Sequence, residues 1–194
     1  MKNWKMLVAA VVLFSATAIT NANAQGGEPP FVKGSNTIGI ALGVGGYYGY
    51  YDTYGGYGGY SVLPSVSVTF DHGVWNDVGP GTIGIGGVVG FSSRYGDAYG
   101  DRYSDNNFTI GARGTYHLTL LAKKNNKFDP YGGILLGLRF HNVNDRYRDY
   151  TKSEVLPAPG IFVGAKYNFT ESFGAFVEVG PCVSLARVGI GFNF

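Results

Sequence analysis

From Ile38 to the C-terminus, apolar residues recur at every second position, and past residue 24 none hold helical spacing for more than about two turns. The last segment is the clearest: Val188, Ile190, Phe192 and Phe194 alternate with Arg187, Gly189, Gly191 and Asn193. Side chains of a β-strand point alternately to its two faces, so this spacing writes one greasy face and one small or polar face. Seven further segments share the design, beginning at Ile38, Val62, Thr82, Phe108, Gly133, Ile161 and Phe173. The reading is therefore all-β, with eight antiparallel strands in chain order.

Alternation also suits a soluble sandwich whose polar face meets water. Here the non-greasy face is built from Gly, Ser and Thr with isolated charges, which suits the crowded interior of a small barrel better than a solvated surface. Glycine explains part of the pattern: 32 of 194 residues are Gly, about twice the usual share. The greasy face ends in aromatics such as Phe70, Phe91, Phe108, Phe140, Tyr167 and Phe169, as at the two interfaces of a bilayer. The expectation is a closed, up-and-down transmembrane β-barrel of eight strands, with its greasy face toward lipid.

The N-terminus fits export. Lys2 and Lys5 precede an apolar run from Met6 to Phe14, and small residues end at Ala22-Asn23-Ala24. Residues 1–24 are read as a secretory signal removed near Ala24, and 25–194 as one barrel domain. The run is too short to span a bilayer as a helix, which takes about 20 residues. The lone Cys182 cannot form an internal disulfide and reads as a small apolar filler.

With a periplasmic N-terminus, connections 47–60, 93–106, 141–154 and 181–186 face outside, and those at 71–81, 123–129 and 168–172 face inside. The stretch from Asp71 to Gly81 is long for an inside turn, and His72 falls within it.

These features resemble the superfamily of eight-stranded outer-membrane β-barrels that includes the OmpA transmembrane domain and OmpX-like proteins. Three elements carry the resemblance: the opening Asp129-Pro130-Tyr131-Gly132-Gly133, the turn Asn168-Phe169-Thr170-Glu171, and the terminal strand ending in Phe194. The Gly/Tyr-rich style is similar to porin-family small barrels of Bacteroidetes. The resemblance implies a Gram-negative cell envelope, outer-membrane lipids as surroundings, and Phe192 and Phe194 as the signal read by the outer-membrane assembly machinery.

On the face opposite the greasy one stand Arg113, Arg139, Lys166, Glu178 and Arg187, with His117 and His141. Charges in a low-dielectric lumen need partners. Glu178 is the acid among them and is expected to be held by bases of adjacent strands, Lys166 and Arg187 being nearest in strand order. A closed lumen follows, and a narrow channel for small solutes or ions is the alternative. Tyr47, Tyr48, Tyr50, Tyr51, Tyr54 and Tyr57, interleaved with Gly, form an adaptable contact surface suited to a protein or glycan partner, or else extend the interfacial belt.

Enzymatic and nucleotide readings are weak. Gly79-x-Gly81-x-x-Gly84 opens a strand with no helix to hold a phosphate. His117 and His141 have no serine or acid at the spacing of lipid A-modifying barrels, which leaves that activity third. Asp97, Asp101, Asp105 and Arg102 match no calcium loop. A net charge of +2 argues against a nucleic-acid partner. The expected role is a non-enzymatic structural or interaction barrel with no cofactor, metal or catalytic set.

Overall fold

Each of the alternating segments lies largely in strand in the computed structural model, which describes residues 29–46, 59–98, 101–122, 126–145 and 150–194. The strands are β1 (Asn36–Gly46), β2 (Gly59–Val62), β3 (Ser65–Val78), β4 (Gly81–Ala98), β5 (Asp101–His117), β6 (Phe128–Asp145), β7 (Tyr150–Pro157), β8 (Gly160–Asn168), β9 (Phe173–Val179) and β10 (Ser184–Asn193). A single helical turn, α1 (Thr119–Ala122), follows β5.

All pairings are antiparallel, and the ring closes where β1 pairs β10 from Thr37↔Asn193 to Gly46↔Ser184. Proline interrupts two of the staves. Pro64 separates β2 from β3, and Pro157 with Pro159 separates β7 from β8, because proline has no N–H to give the ladder. Leu63 N still reaches Ser93 O at 3.1 Å and Ala158 N reaches Gly137 O at 2.8 Å, so each pair acts as one broken stave. The ten segments therefore make the expected barrel of eight.

Some expected connections are strand instead. The 71–81 stretch is mostly β3, which runs on to Val78 and turns at Gly79-Pro80. Register shifts between Gly73 and Val78 erase the period of two there, and with it the signal that marks a strand. His72 is a strand residue, its Nδ1 2.8 Å from Asn36 Oδ1. The 93–106 and 141–154 segments are also largely strand, since β4, β5, β6 and β7 continue to Ala98, Asp101, Asp145 and Tyr150. They read as loops because both their faces are polar. At the other end, β5 stops at His117, and α1 occupies positions assigned to strand.

Strand lengths divide the barrel wall. β8, β9 and β10 have 9, 7 and 10 residues, close to the roughly 9–11 that cross a bilayer. β4, β5 and β6 have 18, 17 and 18, and overshoot at the end away from the termini.

Burial is inverted relative to a soluble protein. Outward Leu136 and Val163 are 65% and 66% exposed, whereas Arg113 and Glu178 on the inward face are each 3% exposed. Such a surface belongs against hydrocarbon. Glycine makes room inside: a Cβ on Gly39 or Gly189 would come within 2.9 or 2.7 Å of the Phe176 ring. That ring thus lies directly on the backbone of β1 and β10.

Candidate functional site: a charge cluster across the lumen

Because successive strands aim alternate residues inward, β3, β5, β6, β9 and β10 together deliver a set of charged and phenolic side chains to mid-lumen. Glu178 of β9 is the hub. Its Oε2 accepts from Arg187 Nε at 2.7 Å and also from Arg187 Nη2, across the β9–β10 pair. Its Oε1 accepts from Arg113 Nη2 at 3.0 Å and from Tyr131 Oη at 2.8 Å, on strands β5 and β6, neither of which pairs with β9. Arg113 Nε in turn lies 3.0 Å from Asp71 Oδ1, its guanidinium carbon 4.4 Å from the centre of the Phe162 ring. Arg187 Nη1 donates to Ser67 Oγ at 3.2 Å. Two acids and two arginines thus alternate, so each buried charge has an opposite neighbour, as burial demands.

Of the two bases expected nearest Glu178, the structure brings Arg187 to it, and the second base is Arg113, from a strand that does not pair with β9. Lys166 is elsewhere: its ammonium donates to Asn193 Oδ1, which also accepts from Thr37 Oγ1 at 3.0 Å. Arg139 is buried on the inward face of β6, two residues before His141. Glu178 is not the only acid inside, since Asp71 and Asp129 are buried there too. Asp71 continues the parity of Ser65, Ser67 and Thr69, and Asp129 and Tyr131 that of Gly133, so extending each alternation by one or two steps would have found them.

A second layer lies toward the termini. His117 Nδ1 is 2.9 Å from both oxygens of Asp129, and its Nε2 is 3.2 Å from Thr115 Oγ1. Its ring stacks between Phe31, at 3.7 Å and 14°, and Tyr131, at 5.0 Å and 25°. Toward the far end the filling turns apolar, with Val88, Leu135, Phe162, Cys182 and Val183 in one cluster. Beside His117, Asp129, Tyr131 and Glu178 lies a small cavity of about 20 Å³, room for about one water.

Beyond the apolar band, His141 bridges the overshooting strands, with Nε2 3.0 Å from Asp105 Oδ1 and Nδ1 3.2 Å from Glu154 Oε1. Lys152 Nζ closes on the other Glu154 oxygen at 2.7 Å. At the terminal end, Tyr167, Phe169, Phe173 and Phe192 follow one another at 5.6, 5.8 and 5.3 Å along the outer surface. Phe194 exchanges two backbone hydrogen bonds with Asn36, at 3.0 and 3.1 Å, and leaves its ring exposed. The tyrosines at 47, 48, 50, 51, 54 and 57 and the segment 1–24 lie outside the described residues.

Among solved structures, the outer membrane protein OprG from Pseudomonas aeruginosa matches with a TM-score of 0.53 at 13% identity, over 86% of this chain and 99% of its own. The fold is that of an eight-stranded outer-membrane barrel. The N-terminal β-barrel domain of OprF from the same organism gives 0.47 at 16% identity, over 84% of this chain and 98% of its own. Ail, the attachment invasion locus protein of Yersinia pestis, in complex with the heparin analogue sucrose octasulfate, gives 0.49 at 14%, over 84% and 100%. No protein-family model and no curated protein sequence matches the chain. At these identities the likeness is one of fold.

Proposed function

We propose that the chain is a non-enzymatic integral protein of a bacterial outer membrane, exported on a signal cleaved near Ala24. In this reading its lumen is closed, and its overshooting strands and outer loops serve a structural or interaction role. The observation that carries it is the Arg113–Glu178–Arg187 cluster, which ties β5, β9 and β10 across the interior. A pore would have to break these buried charge-assisted hydrogen bonds. The greasy outward face and the aromatic row ending in Phe192 support lipid as the surroundings. Phe194, at the end of the closing strand, suits recognition by the assembly machinery during insertion. With the chain ends on the periplasmic side, β4 to β7 rise outside the cell, and the tyrosine-rich residues 47–57 are the surface offered to a protein or glycan partner.

Single-channel recording on the refolded full chain in planar bilayers tests the closed lumen. No unitary conductance is expected, and steady openings would favour the narrow-channel alternative. Deleting Gly49 to Gly59 tests the interaction role. Loss of partner capture with the barrel still folded is expected, and unchanged capture overturns it.

A further inference from the structure

Among the described residues, Phe31 is the one aromatic side chain that enters the lumen from outside the strands, and it is 2% exposed. It belongs to the short segment 30–35 that precedes β1. The segment is tied down by its backbone. Ser35 N bonds Val32 O at 3.0 Å, Gly34 N bonds Gly73 O and Gly73 N bonds Ser35 O, each at 2.9 Å, and Lys33 N donates to Asn76 Oδ1 at 2.6 Å. Gly34 makes the turn with a φ of +90°, a conformation that favours glycine.

The wall is shaped to receive it. A Cβ on Gly73 would overlap Val32 O, and one on Gly84 would come within 3.0 Å of the Phe31 ring. The register shift of β3 begins at Gly73, where the segment docks. The irregularity that hides the end of β3 in the sequence is thus the seat of this segment.

Behind the ring, Phe31 stacks on His117, His117 on Tyr131, and the Tyr131 hydroxyl donates to Glu178. The small cavity that Asp71, Asp129 and Lys166 line is also lined by Phe31. Between that polar interior and the terminal-end solvent stands the phenyl ring.

We infer that the segment 30–35 is a built-in stopper that closes the terminal end of the lumen through Phe31, separately from the mid-lumen charge cluster. It rests on the reading of the chain as a membrane barrel. An open conductance in the wild type would overturn the closed-lumen reading, whereas the test of the stopper reads solvent access at one residue.

The chain's 3 histidines supply the probe. The refolded full chain in detergent is treated with diethyl pyrocarbonate and the modification mapped residue by residue by mass spectrometry, with His141 as internal control. In the wild type His117 is expected to react at least tenfold more slowly than His141. Phe31→Ala should raise His117 reactivity tenfold or more and leave His141 unchanged, and Phe31→Leu should retain most of the protection. Gly73→Ala, which pushes on Val32 without touching Phe31, should unseat the ring and give the same exposure. It keeps the test alive if Phe31→Ala fails to fold, judged by the heat-modifiable shift on a gel. Rapid modification of His117 in the wild type, or continued protection in folded Phe31→Ala, overturns the inference.

Discussion

Arg113 of β5 reaches Glu178 of β9 through the lumen, from a strand that does not pair with β9, Nη2 to Oε1 3.0 Å, and both side chains are almost wholly withdrawn from solvent. Glu178 is shared, because Arg187 holds its other oxygen. Glu178→Gln should therefore cost about 3–5 kcal/mol, the usual loss when one partner of a buried pair is removed and the other charge is left behind. Adding Arg187→Met removes the stranded charge beside it and should recover part of the loss. Urea titrations of the refolded protein in lipid vesicles, run as a double-mutant cycle, measure both values. A fully additive cycle would mean that the two side chains do not interact.

Facing decides what a glycine tolerates. A Cβ on Gly189 would stand 2.7 Å from the Phe176 ring, whereas on Gly87, which points outward, the nearest atom is 3.5 Å away. Gly189→Val should destabilise by about 1–3 kcal/mol through overpacking. Gly87→Ala should be neutral or slightly stabilising, since it restricts the unfolded chain without a clash. The same titration reads both, and equal effects would contradict the assigned faces.

Those faces were largely legible from the sequence. Val188 to Phe194 and Ile161 to Phe169 alternate without a break, so strand, register and lumen face follow from parity alone. Parity failed where the physics changes. Past Gly73 the strand bends to seat the N-terminal segment, and past Phe91 and Phe140 the strands leave the apolar band, so that both faces turn polar while the ladder continues. The site was legible in part for a similar reason. Arg187 opposes Glu178 on the neighbouring strand and could be paired by order, but Arg113 meets it across the barrel, a contact that only closure creates. Phe31 gave no periodic signal, because it acts from an irregular segment.

The membrane reading makes a depth-dependent prediction. Leu136 lies midway along the outward face of β6, and Asn142 lies on the same face beyond Phe140. Leu136→Arg should cost about 2–4 kcal/mol in vesicles and Asn142→Arg about 0–1, following the cost of arginine with depth in a bilayer. In a soluble protein two exposed positions would give similar small effects. Matching values for the two variants would count against a lipid-facing surface.

Acid should loosen the β6–β7 hairpin before it reaches the barrel. Hydrogen bonds from Lys152, and then from His141, hold the Glu154 carboxyl below its ordinary value of 4.5. A carboxylate lowered in the folded state stabilises it above the unfolded value, and that contribution is lost as pH falls through the lowered value. The Glu154 side chain is partly open to solvent, so screening keeps the effect small and local. Hydrogen exchange, corrected for the intrinsic pH dependence of the chemistry, should show amides of Lys152 to Val155 losing protection as pH drops below about 4.5, with those of β9 and β10 unchanged. Glu154→Gln should show the acid-state protection of this hairpin at neutral pH and no further change on acidification. A variant that keeps the wild-type pH response would place the titrating group elsewhere.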